Sequence, residues 1–336
     1  MTRIRGDLGE HTRLYRYLKD RELWKATHIS RSPELSVLKL GGSHDVYLVD
    51  DASSHKKFIL KSFEKQGAPA SKTVDRMEKE YRRLKQAGYI LKHRKWVRVA
   101  RPYCKNDRGD FLAEQYVSGT PLGSYIRGAM EEGRKGELYE KLTYLSGFLA
   151  ILHKKTRKND RISPSNIGRE IKRHAGQASK GGAMTRDELK DIDRLVEQAC
   201  SSGSVKAAHR ALVHGDTNPS NFLYRPECMY VIDMESSRFM DPVYDLGMMA
   251  GEMFHFAMRY GHDPYRADPF IGHLYWMYAG NFKDQLGTFI SLTGRNPLYM
   301  ANSLLRIARH PFFSIEYKRR LAYHAGECLK SLKKFD

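Results

Sequence analysis

Cysteine is scarce and scattered: Cys104, Cys200, Cys228 and Cys328 lie far apart and form no C-x-x-C pair. That excludes a paired-cysteine zinc site and a disulfide framework, and it suits a reducing compartment. Long apolar runs are missing as well. Stretches such as 58–60 and 142–152 are interrupted before they reach membrane-spanning length. The first 31 residues are polar and mixed in charge, without the apolar core of a secretory signal, so a cytoplasmic location is expected. Acidic residues are in short supply, 39 Asp and Glu against 58 Lys and Arg, for a formal charge of +19. Such an imbalance attracts polyanions (nucleotides, nucleic acid, anionic lipid surfaces, acidic saccharides), although a solvated basic surface produces the same count. No internal repeat or low-complexity tract is present, which excludes solenoids. Over 336 residues, 41% hydrophobic and 29% charged residues are enough for a large buried core, and disorder is not expected.

The pattern of elements changes along the chain. Residues 35–40, 46–49 and 58–63 alternate as strands joined by polar turns, an antiparallel meander. Val74, Met77, Tyr81 and Leu84 share one face of a helix spanning 72–87, with Gly88 as its stop. Strand character returns over 96–117 and ends at the turn Ser118-Gly119-Thr120-Pro121. Beyond it helical periods dominate. Leu138, Leu142, Leu145, Leu149 and Leu152 form one stripe, 154–182 reads as basic surface loops with one short helical piece, and 247–335 reads as helices broken at 261–264 and 294–297. The expected fold class is α+β, with two lobes: a helical extension over 1–34, a mostly β lobe over 35–117 and a mostly helical lobe over 118–336.

The chemistry is concentrated in Val213-His214-Gly215-Asp216-Thr217-Asn218-Pro219-Ser220-Asn221, followed by the strand Met229-Tyr230-Val231-Ile232-Asp233-Met234-Glu235. Apolar strands flanking a polar loop can bring Asp216, Asn221 and Asp233 to one edge. Phosphoryl transfer needs oxygen ligands for a divalent cation and a carboxylate facing the acceptor hydroxyl, and this trio supplies that acidic half. In isolation the loop residues are ordinary turn formers, and Gly41-Gly42 is an ordinary hairpin turn.

The H-x-D-x-x-x-x-N loop and the I-D-x-E strand end resemble those of the aminoglycoside phosphotransferase and choline kinase-like family, with a protein-kinase-like fold. The later Asp241-Pro242-Val243-Tyr244-Asp245-Leu246 resembles its D-P-x-x-D-L segment. The resemblance implies Asp216 as catalytic aspartate, and Asn221 and Asp233 as ligands of Mg2+. It implies ATP as co-substrate, with Gly41, Gly42 and Ser43 in the phosphate-covering loop. Ile59-Leu60-Lys61 resembles the strand lysine that contacts the phosphates, and Phe111 to Leu122 resembles the hinge, with Glu114 and Tyr116 as nucleotide contacts. Periodicity leaves the partner of Lys61 open between Glu78 and Glu80; the family's spacing of glutamate to leucine favours Glu80. Glu235 remains open between a metal ligand, an acceptor contact and a salt bridge. His214 reads as structural, and Asp245 as the N-cap of a helix beginning at Leu246 that also braces the catalytic loop.

Eight positions separate Asp233 from Asp241, too few for the activation segment of a conventional protein kinase. An atypical protein kinase is therefore a lesser alternative. A small-molecule, sugar or lipid-linked saccharide acceptor is preferred, with the basic surface favouring an anionic one. Residues 248–310 carry only Glu252, Asp263, Asp268 and Asp284 against six Lys or Arg, a poor setting for a polycationic antibiotic. Most aromatics there, at helical spacing, are expected to be core. The alternative from another class is a non-catalytic module that holds nucleic acid or an anionic membrane on basic runs such as 92–98 and 318–320.

Overall fold

The computed structural model describes residues 3–6, 12–41, 45–63, 70–106, 108 and 110–332. Gly42 and Ser43 lie outside the described residues. The chain divides into two compact units, one of Met1–Gly119 with Tyr230–Ser236, the other of Thr120–Met229 with Ser237–Asp336. The return of 230–236 to the first unit departs from the sequence reading, which assigns everything beyond 117 to one lobe.

The first unit contains β1 (Arg3–Gly6), α1 (Thr12–Tyr17), α2 (Arg21–Thr27), β2 (Glu34–Leu40), β3 (Asp45–Asp51), β4 (Lys56–Ser62), α3 (Ala70–Leu91), β5 (Val97–Val99), β6 (Pro102–Lys105) and β7 (Phe111–Gln115). Six strands form one sheet in the order β1-β2-β3-β4-β7-β6. Side chains alternate across it. Val37, Tyr47, Val49, Phe58, Leu60, Phe111 and Ala113 face one way and pack with Leu14, Tyr17, Leu18 and Leu23 of the amino-terminal segment. The extension thus closes one face of the sheet. Lys61 pairs in register with Leu112, and Glu114 with Ile59, so Lys61 and Glu114 project from the opposite face. The helix α3 runs through Gly88 instead of stopping there, because Leu84, Ala87 and Leu91 continue a buried stripe.

The second unit contains β8 (Thr120–Pro121), α4 (Leu122–Glu131), α5 (Lys135–Thr156), α6 (Pro164–Lys180), α7 (Arg186–Ser201), α8 (Gly203–Lys206), β9 (Ala211–Val213) and β10 (Phe222–Arg225). Then β11 (Cys228–Val231) leads back into the first unit, and β12 (Arg238–Met240), α9 (Val243–Tyr260), α10 (Asp268–Ala279), α11 (Gln285–Ala308) and α12 (Ile315–Ser331) complete the second. The leucine stripe of α5 is wholly buried. Where loops are expected over 154–182, α6 forms. Pro164 sits at its first turn, and Ile167, Ile171, Ala175 and Ala178 bury a helical face that the polar residues between them disguise. The expected break at 294–297 is also absent, and Pro297 lies inside α11. Tertiary bonds hold the flanks across the missing N–H: Arg295 Nε donates to Asp241 at 2.8 Å, the Tyr275 hydroxyl bonds Asn296, and Tyr299 Oη donates to Asp241 at 3.1 Å. Gly247 and Gly251 let α9 approach α11 so closely that a Cβ at either would collide with the side chain of Tyr299 or Ser303. Of the aromatics over 254–282, Tyr275, Tyr278 and Phe254 are core, and Tyr265 and Trp276 are exposed. Among the described residues no helix is long and apolar enough to cross a membrane.

Candidate active site

In the first unit, β4 carries Lys61 to a buried position, 3% exposed, where its Nζ meets Glu80 Oε2 at 2.9 Å and Oε1 at 3.2 Å. Glu80 comes from α3 and is completely buried. Glu78, the other candidate, turns away to pair with Lys105. The ammonium also lies 3.1 Å from Asp233 Oδ1 and 3.3 Å from Glu235 Oε2, and Glu235 is held from its other side by Arg76. Burial works against a charged lysine. The fields of Glu80, Asp233, Glu235 and Glu114 override it and hold the Lys61 pKa well above the usual range. Glu114, on β7, is pushed up to about 7, chiefly by burial, with Lys61 opposing and Asp233 adding to the rise. Its Oε2 is buried without a hydrogen-bond partner.

Asp233 adopts φ +60°, a left-handed conformation uncommon outside glycine, at the end of β11. Its side chain is 36% exposed, so it is the carboxylate of this group that opens outward. Carboxylate oxygens of Glu80, Asp233 and Glu235 lie within 4.8 Å of one another. Four carboxylates, counting Glu114, surround one lysine and the Arg76 guanidinium. An excess of hard oxygen donors over cations fits a magnesium ion in chemistry. Gly41 follows β2 and Tyr116 follows β7 in the same unit.

In the second unit the loop after β9 is fixed from beneath by Asp245. Its carboxylate accepts the N–H of His214 at 2.7 Å, the N–H of Gly215 at 2.9 Å and His153 Nε2 at 3.1 Å. Thr217 Oγ1 donates to the Asp245 carbonyl at 2.9 Å. Gly215, at φ +83°, makes the turn that only glycine takes without strain. His214 is buried, in keeping with a structural role. Asp245 is not the N-cap expected of it: α9 starts at Val243, and the Asp241 carboxylate accepts the Val243 N–H at 3.0 Å.

Asn221 donates its amide to the Asp216 carbonyl at 2.9 Å, which leaves its Oδ1 as the atom suited to a cation. One oxygen of Asp216 receives Arg306 Nη1 at 2.5 Å, and Arg306 Nη2 reaches Glu252 on α9 at 2.9 Å. A single guanidinium therefore bridges two carboxylates. Arg306, Glu252 and His153 escape the motif reading because they come from distant helices. The signal for Arg306 is a lone arginine inside the apolar run Leu304-Leu305-Arg306-Ile307-Ala308.

Among solved structures, the choline kinase of Cryptosporidium parvum matches with a TM-score of 0.61 at 13% identity, over 93% of this chain and 92% of that one. An ethanolamine kinase of Plasmodium vivax matches with 0.55 at 15% identity, over 98% and 91%. The choline kinase LicA from Streptococcus pneumoniae matches with 0.53 at 16% identity, over 95% and 100%. At such identities the likeness is one of fold: a two-lobed, kinase-like α+β architecture. No curated protein sequence matches the chain. The model of the family described as "Phosphotransferase enzyme family" matches residues 34–269, well over half the length, and the chain belongs to that family.

Proposed function

We propose that the protein transfers the γ-phosphoryl group of ATP to a hydroxyl of a small-molecule acceptor. The observation that carries this reading is the buried Lys61–Glu80 pair with Asp233 beside it. A buried ammonium ringed by more carboxylate oxygens than it has N–H donors is costly as structure alone, and it supports a role toward a phosphate once a cation engages the outward-facing Asp233.

In this reading Lys61 donates to the nucleotide phosphates and Glu80 fixes its direction. Asp233 and Asn221, with Glu235, are the oxygen donors for magnesium, which when bound neutralises phosphate charge. Asp216 accepts the acceptor's hydroxyl proton as the new O–P bond forms and the bond to the ADP oxygen breaks. Arg306 holds Oδ1 of Asp216, while the Asn221 amide holds the Asp216 carbonyl and reaches Oδ2 only at 3.5 Å, so Oδ2 is the oxygen presented to the hydroxyl. Glu114 and Tyr116, with Gly41, Gly42 and Ser43, are the proposed nucleotide contacts.

A paired thermal-shift and turnover assay tests these roles. Asp216→Asn should lose turnover by about 10³-fold while keeping the stabilisation given by magnesium and ATP. Asp233→Ala should lose that stabilisation too. Equal turnover in wild type and Asp216→Asn would show the assigned base to be wrong.

A further inference from the structure

Three carboxylates lie on the part of the second unit around Asp216, and each is already matched. Asp216 and Glu252 share Arg306. Glu170, on α6, takes Arg238, the Tyr244 hydroxyl at 2.6 Å and the Asn302 amide at 3.1 Å. Two arginines of the same region, Arg173 on α6 and Arg309 at the end of α11, have no carboxylate partner among the described residues.

Both guanidinium groups hydrogen-bond neutral acceptors, Arg309 from a half-buried position and Arg173 from an exposed one. Arg309 Nη1 donates to Gln177 Oε1 at 3.1 Å, and its Nε donates to the Arg306 carbonyl at 3.2 Å. Arg173 Nη2 lies 3.0 Å from His174 Nε2. The other nitrogen of His174 donates to Asn302 Oδ1 at 2.9 Å, which leaves Nε2 as the acceptor. Burial pushes the His174 pKa down to about 4, so this imidazole orients Arg173 without countering its charge. Arg173 and Gln177 are one turn apart on α6, and Arg306 and Arg309 one turn apart on α11, so these side chains converge. Burial first, then the like charges of Arg306 and Arg173, depress the Arg309 pKa, while Asp216 and Glu170 oppose them. Neither arginine has an ion-pair partner of its own among the described residues, and the carboxylates whose fields reach Arg309, Asp216 and Glu170, are already paired with Arg306 and Arg238.

We propose that Arg173 and Arg309 form a subsite for an anionic group, a phosphate or a carboxylate, carried by the acceptor whose hydroxyl meets Asp216. The assignment rests on the phosphotransferase reading above. A cationic amino alcohol would meet like charge at this place, whereas a planar guanidinium matches a phosphate or carboxylate edge with two donors.

The test uses the full chain with its nucleotide site filled by magnesium and a non-hydrolysable ATP analogue, so that added anions cannot report on that site. Calorimetric titration with inorganic phosphate, glucuronate, glucose and choline should give binding for the two anions only, and their relative affinities separate phosphate from carboxylate. Arg173→Gln with Arg309→Gln should weaken the preferred anion by about tenfold. Arg309→Lys, which keeps the charge and lacks the fork, should fall between. Thermal melts of the variants exclude unfolding as the cause. Unchanged phosphate and glucuronate binding in the double variant, or tighter binding of choline than of either anion, would overturn the subsite. Wild-type turnover of magnesium-ATP with a hexose monophosphate against hexose is measured alongside. Absence of turnover with every acceptor contradicts the kinase reading even where anions bind, and turnover without an anion preference contradicts the subsite alone.

Discussion

The two units solve opposite electrostatic problems. Around Lys61, carboxylates outnumber cations, and one ammonium is shared by Glu80, Asp233 and Glu235. Around Asp216, arginines outnumber carboxylates, and one guanidinium is shared by Asp216 and Glu252. A chain with a net charge of +19 has no general shortage of cations, so the acid-rich cluster is a local arrangement that the composition opposes. Its excess negative charge suits a divalent cation, without which it would repel a triphosphate. The excess positive charge of the other cluster suits an anion approaching the proposed base.

Removing the central cation from each cluster gives the largest effect on stability. Lys61→Met leaves Glu80 buried without its partner, at a cost of about 3–5 kcal/mol. Arg306→Met strands Glu252 in the same way, but Arg306 pairs with two carboxylates where Lys61 sits in the field of four, so the smaller decrease is expected there. Urea unfolding of the two variants measures the difference, and a larger loss for Arg306→Met would reverse the contrast drawn between the units.

Opposite responses to pH come next. The Glu114 pKa of about 7 lies above the ordinary carboxylate value. Its contribution is therefore complete below the ordinary value and lost as pH rises through about 7. His174 and His255, pushed down to about 4 by burial and nearby arginines, contribute above the ordinary histidine value and lose that contribution as pH falls through about 4. In chelator, Glu114→Gln should gain on wild type by on the order of 2 kcal/mol as pH rises from about 5 to 8. His174→Asn should instead flatten the acid side of the profile. Parallel melting profiles for wild type and both variants would remove the distinction.

The smallest effect concerns helix α3. A Cβ added at Gly88 meets no heavy atom within 4 Å, and the helix continues past it. Gly88→Ala should therefore stabilise the first unit by about 0.5–1 kcal/mol, read as a raised melting temperature. A destabilised variant would show that the helix does end there.

Motif residues were legible where chemistry and chain order coincide. His214, Asp216 and Asn221 lie within one loop, whereas periodicity left the partner of Lys61 open between Glu78 and Glu80 and only the family's spacing of glutamate to leucine favoured Glu80. The pieces that came from elsewhere were not legible. Arg306 and Glu252 reach Asp216 from α11 and α9, and nothing in the loop's own sequence names them. Local rules also failed where packing outweighed propensity. Gly88 and Pro297 are ordinary helix breakers, yet Leu91 extends one buried stripe and Asp241 anchors both Arg295 and Tyr299 beside the other. The polar, glycine-bearing composition of α6 hid the spacing of Ile167, Ile171, Ala175 and Ala178, whose burial makes it a helix.

The proposed phosphoryl transfer is tested most directly by following γ-labelled ATP. Wild-type protein is incubated with magnesium, labelled nucleotide and a fractionated pool of metabolites and glycans, beside Asp216→Asn. Label should appear in an organic acceptor with the wild type and be absent with the variant. Label released only as inorganic phosphate, or transferred equally by both proteins, would contradict it.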